Sequence, residues 1–325
     1  MLGALPWVAG ERAMGAAAPL PAVSILMPTY DRLQFLPAAV ASVYAQTFPD
    51  WELIIADDGS GEETRRYLRT LTDGRVRVLW RAHCGRPAVA LNAALQAARG
   101  EYVAFLDSDD LWLPGKLAAQ LGSLSHHPDR RWSCTAFSLI GADGAQLCGR
   151  PVCPAFSGSL RERLLTDVVI AMPSVVVARS LMQQAGPLDE ELTMCYDDEL
   201  WLRLAAASEL DGVDEPLTLV RRHGSHGGSD ILAWSDRRRV IEKALRDGTN
   251  GASFAAVLRE RRAAMSAGLA RSQALYGRRR DALRTVAASA AYSWRYRCWW
   301  GGALSATVRA ATPPLVQRAW RALRA

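Results

Sequence analysis

Apolar and polar positions follow two rhythms along this chain. Continuous apolar runs at 23–30 (VSILMPTY), 51–60 (WELIIADDGS), 76–80 (VRVLW) and 101–106 predict strands. Between them, apolar residues recur at helical spacing. Phe35, Leu36, Ala39, Val40 and Val43 predict a helix over 34–44, and further helices are predicted over 62–71 and over the Ala-rich 87–99, stopped by Gly100. The strand runs are apolar throughout rather than alternating, so the predicted architecture is α/β, a mainly parallel sheet covered on both faces. After Pro114 the pattern loosens, with helices at 116–124 and 197–207 and strands at 132–140, 174–178 and 216–220. From residue 231 the chain is Arg/Ala-rich, helical in period and without strand signal, until Pro313 and Pro314 precede a final short helix. The expected organisation is a flexible extension over 1–20, one α/β domain over 21–229 and a basic α-helical region over 230–325.

Composition changes this picture in two ways. Half of the 325 residues are apolar and 22% are charged, a globular balance. The net charge of +6 conceals a split: 20 Lys/Arg against 27 Asp/Glu over 1–229, and 19 against 6 over 230–325. The basic tail suggests an anionic surface or ligand, and no nucleic-acid motif accompanies it. The six cysteines (Cys84, Cys134, Cys148, Cys153, Cys195, Cys298) lack zinc spacing and are expected to be free thiols in a reducing compartment. The first twenty residues lack the pattern of a signal peptide, and no apolar run has the length of a membrane span. The expected location is cytoplasmic.

Four clusters carry candidate chemistry. Asp107, Asp109 and Asp110 gather at the end of an apolar strand. Carboxylates two residues apart can share Mg²⁺ or Mn²⁺, which takes one or two protein carboxylates and leaves its other positions to phosphate and water. The alternative is a solvated loop whose acids cap the next helix. Asp57-Asp58-Gly59-Ser60 ends the second strand; an acid followed by Gly can meet a ribose or a base N–H, although a capped turn explains it equally well. Asp197-Asp198-Glu199 opens a helix, where acids suit the positive end, but three exceed what a cap requires and one could act as a general base. Arg221, Arg222, His223 and His226 could meet phosphate or metal. There is no GxGxxG after the first strand and no GxxxxGK[ST], which argues against nicotinamide dehydrogenases and P-loop NTPases.

VSILMPTYDR, QTFPDWELIIADDGS, GRPAVALNAALQAARGEYVAFLDSDDLWLPGKL and GPLDEELTMCYDDELWLRL, in that order, resemble the successive motifs of the family 2 glycosyltransferases. The resemblance runs from about residue 23 to about residue 223. It implies the GT-A fold, Rossmann-like, with the helical tail outside it. It implies nucleotide contacts at Pro28, Thr29, Asp31, Asp58, Arg86 and Ser108, with Asp58 accepting from the base. It implies a metal site at Asp107 and Asp109, Asp109 being the more direct ligand, with His223 a late metal or diphosphate contact. The family's Glu-Asp pair falls on Tyr196 and Asp197, so the Glu is replaced and Asp197 remains as the catalytic base. Leu91 stands where relatives often have Arg, which weakens any diphosphate contact there.

The implied activity is transfer of a sugar from a nucleoside diphosphate donor, first of all a UDP-sugar, to a hydroxyl of a glycan or lipid-linked acceptor. One base and in-line attack imply inversion. The competing readings are a non-catalytic sugar-nucleotide-binding or polysaccharide-assembly protein, and a nucleotidyltransferase, which would need a Gly-rich basic loop after the first strand. YSWRYRCWW (292–300) interleaves aromatics with Arg, as suits peripheral contact with an anionic membrane at its inner surface. The alternative is that the tail helices bury their apolar faces on the catalytic body.

Overall fold

The computed structural model describes residues 20–147, 152–166, 168–223, 229–247 and 251–311. Calls on residues 1–19, Cys148, His226 and Pro313-Pro314 lie outside them. Four strands, β1 (Val23–Thr29), β2 (Trp51–Asp57), β3 (Val76–Trp80) and β4 (Tyr102–Phe105), pair in parallel in the order β3-β2-β1-β4. The helices between them are α1 (Leu36–Tyr44), α2 (Glu62–Arg69) and α3 (Pro87–Ala97).

Both faces of this half are dry, and successive residues explain how. Val23, Ile25 and Met27 of β1, with Leu53 and Ile55 of β2, bury against Leu36, Val40 and Val43 of α1. Leu26, Ile54, Val103 and Phe105 point to the other face, with Ala88, Leu91 and Ala94 of α3. A strand buried on both sides favours apolar residues at nearly every position, hence the continuous runs; the buried exceptions Ser24 and Glu52 satisfy each other, the Ser24 hydroxyl donating to Glu52 at 2.7 Å. On that second face Trp201 stacks on Trp132 at 5.8 Å, and Phe105 meets Trp201 edge-on at 6.1 Å.

Beyond β4 the sheet becomes mixed. β5 (Leu111–Trp112) follows directly, then α4 (Lys116–His126), β6 (Trp132–Ile140), β7 (Val175–Ala178), α5 (Arg179–Ala185), α6 (Tyr196–Ala207) and β8 (Leu210–Arg221). β7 runs antiparallel to both β4 and β6, β6 pairs in parallel with β8, and β5 closes the edge antiparallel to β8. Neither β5 nor α5 was expected, and β8 begins well before residue 216. Residues 210–213 are strand because their backbone pairs with β6, before an irregularity after which pairing resumes at Thr218, not because their side chains follow an apolar run.

The chain ends, among the described residues, in α7 (Ser229–Arg246), α8 (Ala252–Leu275), α9 (Arg279–Ser293) and α10 (Arg297–Ala311). Small residues set their spacing. A Cβ on Gly268 of α8 would sit 2.6 Å from the Trp234 ring of α7, and one on Gly302 of α10 would sit 2.6 Å from the Cβ of Ala267. Leu192, Cys195 and Leu202 share a buried cluster with Val240, Ile241, Phe254 and Leu258, so α7 and α8 pack on the α/β body. Trp294, Trp300 and Leu304 remain exposed, at 54%, 54% and 66%. Both expectations for the tail thus have a physical counterpart, on different helices.

Candidate active site

β1 lies between β2 and β4, so the chain leaves β1 toward one side and returns on the other. The carboxyl ends of β1 and β4 therefore flank a crevice, the place where open α/β sheets hold ligands. A cavity of about 400 Å³ opens there, lined by Pro28, Thr29, Tyr30 and Arg32 after β1, Asp58 after β2, His83, Gly85 and Arg86 before α3, Asp107, Ser108 and Asp109 after β4, and Thr193, Met194 and Tyr196 before and at the start of α6. Its size is ordinary for a small-molecule site.

The wall formed after β2 and before α3 is built around Asp58. Its carboxylate accepts the N–H of Cys84 at 3.0 Å and of Gly85 at 2.8 Å, and the His83 ring lies 3.0 Å away. Burial pushes its pKa up, but the Gly85 and Cys84 hydrogen bonds and His83 outweigh burial and hold it below the usual carboxylate range. Gly59 permits this closure: its φ is +81°, and a Cβ there would meet the His83 backbone N at 2.6 Å. Tyr30 stacks on His83 with ring centroids 3.9 Å apart. The hydroxyl of Thr29 is buried without a hydrogen-bond partner, a free polar group on the wall.

The acids after β4 divide in role. Asp110 is buried and accepts the N–H of Arg221 at 2.6 Å, tying this loop to the end of β8. Asp109 lies 2.9 Å from Nε2 of His223 and 3.8 Å from the Arg32 guanidinium. Asp107 is pushed up to about 7, first by desolvation and then by Asp109. Asp109 has Arg32 beside it, but among the described residues no Lys or Arg lies within ion-pair distance of Asp107, and a hard divalent cation would supply the charge missing there. No group of three or more His, Cys, Asp or Glu encloses a metal among the described residues. A pair of carboxylates with room for phosphate oxygens fits Mg²⁺ or Mn²⁺ better than a metal held by protein alone.

The helix α6 supplies the opposite wall. Glu199 is taken up by Arg203, at 3.0 Å, and by Lys243 of α7, at 2.7 Å. Asp198 lies 3.7 Å from the Arg237 guanidinium. Asp197 accepts the N–H of Asp198 at 2.9 Å and has no cationic partner within ion-pair distance among the described residues. Desolvation, then the Asp198 and Asp107 charges, push its pKa well above the usual range. Burial raises Asp198 too, but the Arg237 charge beside it opposes that, so of the three acids Asp197 is the one pushed furthest toward taking up a proton.

Most of the expected residues meet at this cavity: Pro28, Thr29, Asp58, Arg86, Ser108, Asp107 and Asp109 line it. Asp31 does not. At φ +46° it turns away, donating its N–H to Ser60 Oγ at 2.9 Å and accepting the Gly61 N–H at 2.7 Å. It clips the loops after β1 and β2 together, and Arg32 takes the wall position. His223 stands behind Asp109 rather than on the wall, and Asp197 lies one residue beyond Tyr196. Tyr30, Arg32, His83, Thr193, Met194 and Tyr196 line the cavity without having been singled out as contacts. Arg32 had a sequence signal in its place beside Thr29; His83 had none.

The family model described as glycosyl transferase family 2 matches residues 24–132. The Escherichia coli UDP-Glc:alpha-D-GlcNAc-diphosphoundecaprenol beta-1,3-glucosyltransferase WfgD is 39% identical over 192 residues, 59% of this chain and 73% of that protein. An uncharacterized glycosyltransferase of Rickettsia felis is 31% identical over 203 residues, 62% of this chain but only 33% of its own length. The chain thus spans about a third of the Rickettsia relatives it matches. The crystal structure of S. aureus TarS 1-349 in complex with UDP-GlcNAc has the same fold, with a TM-score of 0.66 at 16% identity, covering 92% of this chain and 91% of that one. The chain belongs to the family 2 glycosyltransferases, and its fold is GT-A.

Proposed function

We propose that this chain is an inverting glycosyltransferase that moves a sugar from a UDP-sugar to a hydroxyl of an envelope glycan carried on a lipid. The observation that carries the reading is one cleft with opposed walls. Asp107 and Asp109 face it from β4, and the unneutralised Asp197 lies beside it on α6. Asp107 and Asp109 would hold Mg²⁺ or Mn²⁺, which when bound neutralises the charge on the departing diphosphate. Thr29, Asp58 and Arg86 hold the nucleotide, with Tyr30 and His83 at its edge. Asp197 takes the acceptor proton as that oxygen attacks the anomeric carbon from the side opposite the diphosphate, which inverts the centre. Catalysis is assigned to 21–229.

WfgD's name gives UDP-Glc as its donor and a diphosphoundecaprenol-linked sugar as its acceptor, which supports the same chemical class here. A lipid-linked acceptor requires access to a membrane. No described helix is long and apolar enough to cross one. Contact through the exposed Trp294, Trp300 and Leu304 among the tail arginines, at the inner surface of the membrane, meets that requirement without a span. Nucleoside diphosphate release across a panel of sugar nucleotides, with Mn²⁺ and a polyprenyl-diphosphate sugar, tests the reading. Release from a UDP-sugar supports it, and no release from any donor defeats it.

A further inference from the structure

The segment between α5 and α6, residues 186–195, carries Thr193 and Met194 on the cavity wall and leads directly into Tyr196 and Asp197. Part of its polar backbone is held from outside the family motifs. Asp236 of α7 is 2% exposed, and its Oδ2 accepts the N–H of both Thr193, at 2.8 Å, and Met194, at 2.9 Å. Lys243, two turns further along α7, reaches Asp189 at 2.9 Å and Glu199 at 2.7 Å. Arg237 faces Asp198, Arg239 reaches the Glu191 carbonyl, and the Cys195 thiol lies 3.7 Å from the carbonyl of Ala233. Residues 233, 236, 237, 240 and 243 recur at helical spacing, so one stripe of α7 makes these contacts, with Val240 as the apolar member of that stripe.

The Asp236 Oδ1 lies 3.9 Å from Arg239 of its own helix, but the buried Oδ2 takes two main-chain donors of another element and so does something beyond stabilising α7. Those two N–H groups belong to the residues that wall the cavity. We infer that Asp236 is a positioning residue for the transfer reaction: it fixes the 193–197 segment so that Asp197 meets the acceptor hydroxyl, with Lys243 as its second anchor. This rests on the glycosyltransferase reading above. The helical region is then part of the catalytic apparatus, although it contributes no group to the reacting atoms.

The test uses the full chain. Asp236→Ala should lower kcat by about 10- to 100-fold, the usual cost of a displaced catalytic group, while UDP affinity, set largely by the β1, β2 and β4 loops, changes less than about twofold. Asp236→Asn keeps an acceptor oxygen in place and should recover most of kcat. In an Asp197→Asn background, Asp236→Ala should cost less than about twofold more, because both act through one group. Amide hydrogen exchange at Thr193 and Met194 should rise in Asp236→Ala. Trp299→Phe, which removes the buried α10–α9 hydrogen bond from the indole N–H to Ser289, should leave both readouts unchanged. Fully additive losses, or an equal kcat loss in Trp299→Phe, would overturn the inference. Absence of transfer by the wild-type chain defeats the donor reading instead. The exchange data then still decide the anchor: unchanged exchange at Thr193 and Met194 overturns it, and faster exchange upholds it.

Discussion

Asn92 on α3 is the other anchor of the same segment, and replacing it gives a calculable result. Its Nδ2 donates to the Leu188 carbonyl at 2.9 Å and to Glu190 Oε1 at 2.8 Å, and its Oδ1 accepts the Leu188 N–H at 2.9 Å. Asn92 is 5% exposed and Leu188 2%, so water does not replace what is removed. Asn92→Ala leaves two buried main-chain groups unpaired, at about 1–3 kcal/mol each, while the partly exposed Glu190 bond adds little. The expected loss is about 4 kcal/mol. With each kcal/mol worth about 2–4 °C in a domain of this size, the unfolding midpoint should fall by roughly 10 °C. Urea titration followed by tryptophan fluorescence measures the free energy, and an unchanged slope would show that the unfolded state is not the source. Asn92→Asp should be as damaging, because a carboxylate cannot donate to the Leu188 carbonyl and repels Glu190. The transfer rate should fall in both, measured well below the new midpoint. A loss under about 1 kcal/mol in Asn92→Ala would refute the reasoning, since it would mean the Leu188 groups find other partners.

EDTA should abolish transfer and Mn²⁺ or Mg²⁺ restore it; full activity in EDTA would remove the metal from the mechanism. Asp197→Asn should reduce kcat by roughly 10²–10⁴-fold with UDP affinity unchanged, and a crippled Asp198→Asn beside a competent Asp197→Asn would move the base by one residue. Burial raises the pKa of Glu52, but Ser24 and Arg99 outweigh it and hold it below 4.5 in the folded state, so its contribution is present above that pH and is lost as pH falls through the lowered value. Glu52→Gln should therefore flatten the acid limb of the stability curve below pH 4.5, and an unaltered limb would contradict this. The chain should co-sediment with anionic liposomes at low salt and be released at high salt. Retention in the supernatant at low salt would exclude the membrane contact, and Trp300→Ser with Leu304→Ser should weaken it.

The nucleotide half was legible because burial on both faces writes itself into every residue of β1, β2 and β4, and because acids at the ends of such strands have no packing explanation. β5 and the first half of β8 were not legible. Two residues carry no period, and 210–213 is held by main-chain pairing with β6, a partner that no local pattern names. Asp31 was misleading in the same way: its position beside Thr29 is local, but its side chain answers to Gly61, thirty residues away. The His83–Gly85 closure over Asp58 depends on where β3 delivers the chain, and Asp236 on how α7 docks. The replacement of Glu by Tyr at position 196 was visible in the sequence, but not that its ring would form cavity wall.

The contact between α7 and the segment before α6 also bears on how such chains can be recombined. Asp189, Thr193, Met194 and Glu199 meet Asp236 and Lys243 across some forty intervening residues. A crossover anywhere between them would join one parent's loop to the other's helix and leave two main-chain donors and two carboxylates facing strangers. A crossover at 127–131, between α4 and β6, keeps the α7 contacts on one side, while still dividing Asn92 from Leu188 and Asp110 from Arg221. Chimeras within the family should keep more stability with that seam, provided both parents carry Asn at 92 and Asp at 110, than with one near residue 215, so the stretch from 187 to 243 is best exchanged as one piece.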